Sequence, residues 1–322
     1  MKSKICGLIA VFSLFSCVSV FAEGGAEGGQ DPIILYSAGS RNGIPCYWQN
    51  TARKNLSIPS GTSGAATDIT VGTDGTVYIA GAYRDRNGNT IPCYWRNGVR
   101  KDLPIPGGAE DCVPRVIAVG ADKTVHIVGT YEEYSIIAEH PDFHVYWQDG
   151  GGRISMRDIS LHPNPNDHRG AKVHAIAVGT DGTVYIAGGR HSGIGETYNG
   201  IPCYWQNGVI KDLSSGTNGG AAAITVGADK TVYIAGYYYD ADRNVISCYW
   251  QNGVRQNLPM RGSVYAIAVG ADRTVYISTQ VLMGNRATLW VYNCPWRGDI
   301  TARPICSLDD GEEIYGQFIV VK

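Results

Sequence analysis

An all-β fold is what this sequence predicts, on three observations. Short alternating runs rich in Val, Ile, Tyr and Thr recur, as in Thr231-Val-Tyr-Ile-Ala-Gly236. Such period-two alternation is the pattern of a half-buried strand. The runs are separated by pairs such as Asn252-Gly253 and Asp181-Gly182, which accept the positive φ of a tight hairpin turn. The pattern also repeats head to tail, most of the chain being copies of Ala221–Leu258. Four antiparallel strands in about 45 residues, repeated in this way, read as blades of a β-propeller.

Within that stretch Ala223-Ile-Thr-Val226 is the first strand and Thr231–Gly236 the second. Ile246-Ser-Cys-Tyr-Trp250 is the third, and Val254-Arg-Gln-Asn-Leu258 closes the unit. The third-strand tryptophan recurs as Trp48, Trp95, Trp147, Trp205, Trp250 and Trp290, whereas the first-strand Val-Gly signature recurs only at Val71, Val119, Val178, Val226 and Val269. The chain therefore enters mid-blade at Ile34–Gly39 and lacks one first strand. The apolar C-terminal run Ile314–Val321 is the segment available to supply it. The expectation is a six-bladed β-propeller of four-stranded antiparallel blades, its first blade closed by the C-terminal strand, which would remove two exposed edges. Small residues at Ala118, Ala175, Ala177, Ala223 and Ala266 suit a crowded innermost strand. Lys123, Lys230 and Arg273 stand where other first hairpins have Gly, so that turn is not expected to demand a left-handed residue.

The 322 residues suffice for one large all-β domain. A net charge of −2 offers no basic field for nucleic acid. Lys2 and Lys4 precede an apolar run from Ile5 to Phe21, and Val20-Phe21-Ala22 resembles a processing site. Residues 1–22 thus read as an export signal, 23–31 as a flexible Gly-rich leader, and 32–322 as the propeller. A second reading takes Leu14-Phe15-Ser16-Cys17 as a lipoprotein box with the lipid on Cys17. Either reading places the protein in the periplasm, at the cell surface or outside the cell, as a monomer with no transmembrane span in the mature chain.

The Tyr-Trp-x-Asn-Gly segments, followed by Val-Gly-x-Asp-Gly-Thr-Val-Tyr-Ile-Ala-Gly, resemble extracellular HAF-type repeats. The Asp-Gly-Thr-Val-Tyr-Ile hairpin is similar to that of NHL-type repeats. The resemblance rests on turn and core residues, so it implies an exported repeat protein and assigns no catalytic residue.

Candidate chemistry gathers in one region. All seven histidines fall between His126 and His191. His126 and His174 lie in strand patterns and read as core, whereas His140, His144, His162, His168 and His191 read as loop residues. With Glu132, Glu133, Asp142 and Asp167 nearby, they are the candidate ligand-binding set. The five loop histidines could hold zinc or another divalent transition metal through neutral imidazoles, or supply a general base; otherwise no cofactor is implied. The repeated aspartates Asp74, Asp122, Asp181, Asp229 and Asp272 read as turn residues. Cys46, Cys93, Cys203 and Cys248 share one repeat position and should be free, since sixfold-related sites about 15 Å apart exceed the bridging limit of about 7 Å. Cys294 and Cys306 flank a longer outer loop and form a candidate disulfide. Tyr83, Tyr131, Tyr134 and Tyr237–Tyr239 cluster near the same rim, as outer-strand packing or as a stacking platform.

The function this supports is a non-enzymatic binding or scaffold module presenting a loop face to a protein or glycan. The alternative is a metal- or histidine-dependent lyase or hydrolase acting on an extracellular polymer through the His-rich loops.

Overall fold

A computed structural model describes residues 18–19, 34–49, 52–133, 143–159, 171–191, 200–213, 218–259, 263–270, 273–283, 286–294, 301–308 and 316–320. After β1 (Val18–Ser19), the first unit contains β2 (Ile34–Arg41), β3 (Ile44–Gln49) and β4 (Ala52–Asn55). The second is β5 (Ser63–Val71), β6 (Val77–Arg84), β7 (Thr90–Arg96) and β8 (Val99–Asp102). The third is β9 (Ala109–Val119), β10 (Val125–Glu133), β11 (Phe143–Gly150) and β12 (Arg153–Ile159). The fourth is β13 (Lys172–Val178), β14 (Val184–His191), β15 (Gly200–Gln206) and β16 (Val209–Asp212). The fifth is β17 (Gly219–Val226), β18 (Val232–Tyr239), β19 (Val245–Gln251) and β20 (Val254–Asn257). The sixth is β21 (Ser263–Val269), β22 (Val275–Met283), β23 (Arg286–Cys294) and β24 (Thr301–Leu308). The last strand, β25 (Gly316–Val320), lies antiparallel to β2, Ile34 facing Val320 and Ala38 facing Gly316.

The hydrogen-bonded order corrects the expected closed six-bladed β-propeller. Among the described residues the strands form five sheets, one of nine strands and four of four, and none of them is closed or curled on itself. The nine-stranded sheet joins the second and sixth units through β1, which pairs in parallel with both β5 and β21. Repeat counting could not show this, because β1 belongs to no repeat. Within each unit the strands neighbour one another in chain order, as with β13-β14-β15-β16, and in the nine-stranded sheet the first strands β5 and β21 flank β1. The first strands pack against one another, β5 on β9, β9 on β13, β13 on β17 and β17 on β21. They are called the inner strands below. The outer edges β4, β8, β16 and β20 are four residues long, and such short edges limit strand addition by other chains.

One packing device recurs. The inner strand carries an extra residue beside the second-strand glycine position, producing a β-bulge in five units among the described residues: the register steps over Thr67, Arg115, His174, Ala222 and Tyr265. A Cβ on Gly129 would meet the Val113 carbonyl oxygen at 2.5 Å and the Trp147 ring at 2.7 Å. Gly81 and Gly188 are crowded by the same two partners, a bulge carbonyl and Trp95 or Trp205. The Gly of Tyr-Ile-Ala-Gly is thus required by close approach. The sixth unit shows the converse. Thr279 stands opposite Val264 there, and Trp290 pairs with Thr279 rather than facing the preceding isoleucine. In the second to fifth units the tryptophan faces Ile79, Ile127, Ile186 or Ile234, and Tyr292 holds that place opposite Ile277. Trp290 is therefore not the sixth copy of the repeat tryptophan.

Trp95, Trp147, Trp205 and Trp250 are at most 1% exposed. Trp95 Nε1 donates to the Ser57 carbonyl (2.9 Å) and Trp147 Nε1 to that of Pro104 (2.8 Å), each reaching the preceding unit. Cys46, Cys93, Cys203 and Cys248 are buried free thiols. Burial pushes the thiols of Cys203 and Cys248 up to about 12, so they are unreactive packing groups.

Candidate functional site

The expected histidine face divides into described and undescribed parts. His140, Asp142, His162, Asp167 and His168, with Tyr134, lie outside the described residues. Glu132 and Glu133 end β10, opposite Glu110 and Ala109, and His191 ends β14 opposite Gly200. His144 is corrected: it belongs to β11 rather than a loop, faces Thr130 and Ile159, and is 5% exposed. The alternation of Phe143-His-Val-Tyr-Trp147 carries the strand outward to include it. Glu133, Phe143 and Ile159 mark one end of the third unit, as Lys172, His191 and Gly200 do of the fourth. Among the described residues no three His, Cys, Asp or Glu side chains are grouped to hold a metal.

The disulfide candidate also meets the register. The last hairpin closes at Asn293 and Thr301, so Cys306 climbs to face Leu289, five residues along β23 from Cys294. That is roughly 16 Å of strand, and Cys294 is a buried free thiol.

The two strand histidines behave as core groups. His126 is 5% exposed, with Nδ1 2.5 Å from Tyr146 Oη, and burial depresses its pKa. His174 Nδ1 donates to the Ala221 carbonyl of the next unit at 2.9 Å. Burial also depresses its pKa, leaving a neutral ring with the proton on Nδ1 and a lone pair on Nε2.

Most of the tyrosines pack. Tyr83 and Tyr131 are buried, Tyr131 stacking on Phe143 at 5.4 Å, and Tyr238 lies beneath the Arg255 guanidinium at 3.8 Å. Tyr237 and Tyr239 differ. They meet edge to face at 5.8 Å, and the Tyr237 ring lies over Gly220 of the inner strand β17.

Repeat counting missed the bulge row itself. Flanking positions are nearly uniform: Ile69, Ile117, Ile176, Ile224 and Ile267 follow two residues after the bulge, each at most 1% exposed. The bulge position instead reads Thr67, Arg115, His174, Ala222 and Tyr265. Thr67, Arg115, His174 and Tyr265 keep partial exposure while Ala66, Val116, Ala175 and Ala266 beside them are buried. The row thus places a guanidinium on β9, an imidazole on β13 and a phenol on β21, whereas the Thr67 hydroxyl oxygen on β5 is buried. Arg115 Nε donates to Thr130 Oγ1 at 2.9 Å, and burial raises the Tyr265 phenol pKa. The signal in the sequence was a position, two before a nearly constant isoleucine, at which otherwise similar copies carry Thr, Arg, His, Ala and Tyr.

No family profile matches the chain, and no curated protein resembles it in sequence. Among solved structures, a polysaccharide lyase, an ulvan lyase, superposes with a TM-score of 0.52 at 10% identity, over 93% of this chain and 88% of that one. The same lyase bound to a saccharide of glucuronic acid and 3-sulfated rhamnose gives 0.53 at 10% identity over the same shares. The β-propeller domain of a protease from Pyrococcus furiosus reaches 0.48 at 11% identity, over 88% and 82%. At these identities the likeness to the lyase is one of fold.

Proposed function

We propose that the protein is a binding module that takes a glycan along its inner strands, at the bulge row. One observation carries this reading. Copies that repeat their scaffold residues diverge at the partly buried bulge position into Thr67, Arg115, His174 and Tyr265. Packing alone gives no reason for that divergence, since Ala222 fills the same place in the fifth unit. Arg115 offers a fork for a carboxylate or sulfate. Tyr237 and Tyr265 offer rigid amphipathic faces for a sugar ring. The saccharide bound by the lyase of like fold lends support to a glycan rather than a protein ligand.

Immobilised polygalacturonate tests this against neutral dextran. Saturable binding to the acidic polymer is expected, weakened at least about tenfold by Arg115→Ala or Tyr265→Ala. No saturable binding across a glycan array, or capture of a protein ligand unaffected by both substitutions, would overturn it.

The second reading, a lyase on the same row, is favoured by the neutral His174 ring with Nε2 as acceptor. A base beside a guanidinium that neutralises a uronate carboxylate is the minimum for proton abstraction next to that group. Release of unsaturated uronate from polygalacturonate, abolished by His174→Ala, would select it over simple binding.

A further inference from the structure

The repeat position just after the bulge is apolar in four units, as Val116, Ala175, Ala223 and Ala266. The second unit has Asp68 there, 1% exposed. Its Oδ2 accepts the backbone N–H of Ile117 at 2.8 Å, across the boundary between β5 and β9. It also accepts the N–H of Ile69, and burial keeps its proton on well above the usual carboxylate range. Its other oxygen, Oδ1, is buried without a partner among the described residues, as is Oγ1 of the adjacent Thr67. An apolar residue would satisfy the packing at lower cost, because a buried polar atom with no hydrogen bond loses its hydration without replacement. The hydrogen bond that Asp68 makes across units is to the amide two residues beyond Arg115.

We propose that Asp68 is a positioning residue, latching β9 against β5 and thereby fixing where Arg115 stands. Arg115 is held from two sides. Its Nε is anchored to Thr130 within its own unit, and its strand is pinned just past the bulge by the Asp68 carboxyl. A bulge leaves its extra residue outside the ladder, so the orientation of Arg115 depends on such flanking restraints. The inference rests on the glycan reading only in naming Arg115 as the group positioned, and the latch is testable without any ligand.

Two ligand-free readouts on the full-length protein decide it. In Asp68→Ala, amide exchange of segment 113–119 should quicken at least about tenfold, the loss of one cross-unit hydrogen bond. The rate at which phenylglyoxal modifies Arg115 should change in the same variant. Asp68→Asn keeps a neutral acceptor for the Ile117 amide and should restore both. If Asp68→Ala does not fold, Asp68→Val, copying Val116, takes its place. Exchange unchanged in the apolar variant, Arg115 reactivity unchanged despite faster exchange, or no rescue by Asn would each overturn the proposal. A wild-type protein that passes these tests but binds no polygalacturonate would overturn the glycan reading alone.

Discussion

Lys123, Lys230 and Arg273 show how a single side chain can trade local strain for a contact outside its own unit. Each occupies the hairpin position held by Gly75 and Gly182, and each is left-handed, with φ of 67°, 66° and 67° beside 76° and 79° for the glycines. The expectation that this turn tolerates an ordinary conformation is therefore corrected: the turn imposes positive φ, and these residues accept it. Each then reaches an aspartate in the preceding unit, Lys123 to Asp74 at 2.9 Å, Lys230 to Asp181 at 3.0 Å and Arg273 to Asp229 at 3.5 Å. Such exposed pairs are weak and screened by salt, whereas left-handed backbone costs a residue with a Cβ about 1 kcal/mol. Lys230→Gly should accordingly be no less stable than the parent in urea, and Lys230→Val clearly less stable, since it keeps the strain and loses the pair. Lys230 and the Thr183 amide hold the Asp181 carboxyl at about 2. Its folded value lies below the unfolded one, so any stabilisation is complete above about pH 4 and is lost as pH falls through about 2. The advantage of Lys230→Gly over the parent should therefore grow as the pair is lost through about pH 2, and an advantage that shrank on acidification would contradict this assignment.

The bulge and its glycine are the device that the strands share. The hairpin glycines and the alternation were legible because both act within a few residues of chain. Asn97, Asn207 and Asn252 even adopt the positive φ that Asn-Gly turns require. The bulge was not legible, because an extra residue exists only relative to a partner strand, and Arg115 or His174 looks like any other strand position until β10 or β14 is laid beside it. The same limit explains Trp290, whose spacing matches the repeat while its register places it opposite Thr279 rather than Ile277. Gly129→Ala should cost about 1–3 kcal/mol or more, because its Cβ must displace both a carbonyl and the Trp147 ring. Gly75→Ala meets no atom within 4 Å and suffers only its φ. Equal melting temperatures for the two variants would refute the close-approach account.

Across the whole chain, the number and order of units were readable from turn and core residues, whereas the hydrogen-bonded connections between units were not. Pairing of β1 with β5 and β21 joins residues far apart in sequence, and no local pattern encodes it. The C-terminal strand is a case between these extremes. Its length and apolarity drew attention to it, and it lies along β2 over five residue pairs. Deleting residues 314–322 would bare that edge of β2 and should lower the melting temperature by several degrees or more. A shift of a degree or two would mean that β25 contributes little. Trp95 and Trp147 bond backward to Ser57 and Pro104, and the hairpin cations reach backward to the preceding aspartates. The second unit (Trp95 reaching back, Asp74 and Pro104 accepting) and the fifth (Lys230 reaching back, Asp229 accepting) thus each carry a plug on one side and a socket on the other. An in-frame duplication of one segment of about 45 residues would bring both halves of those joints with it, and the chain could lengthen by copying without inventing a new interface.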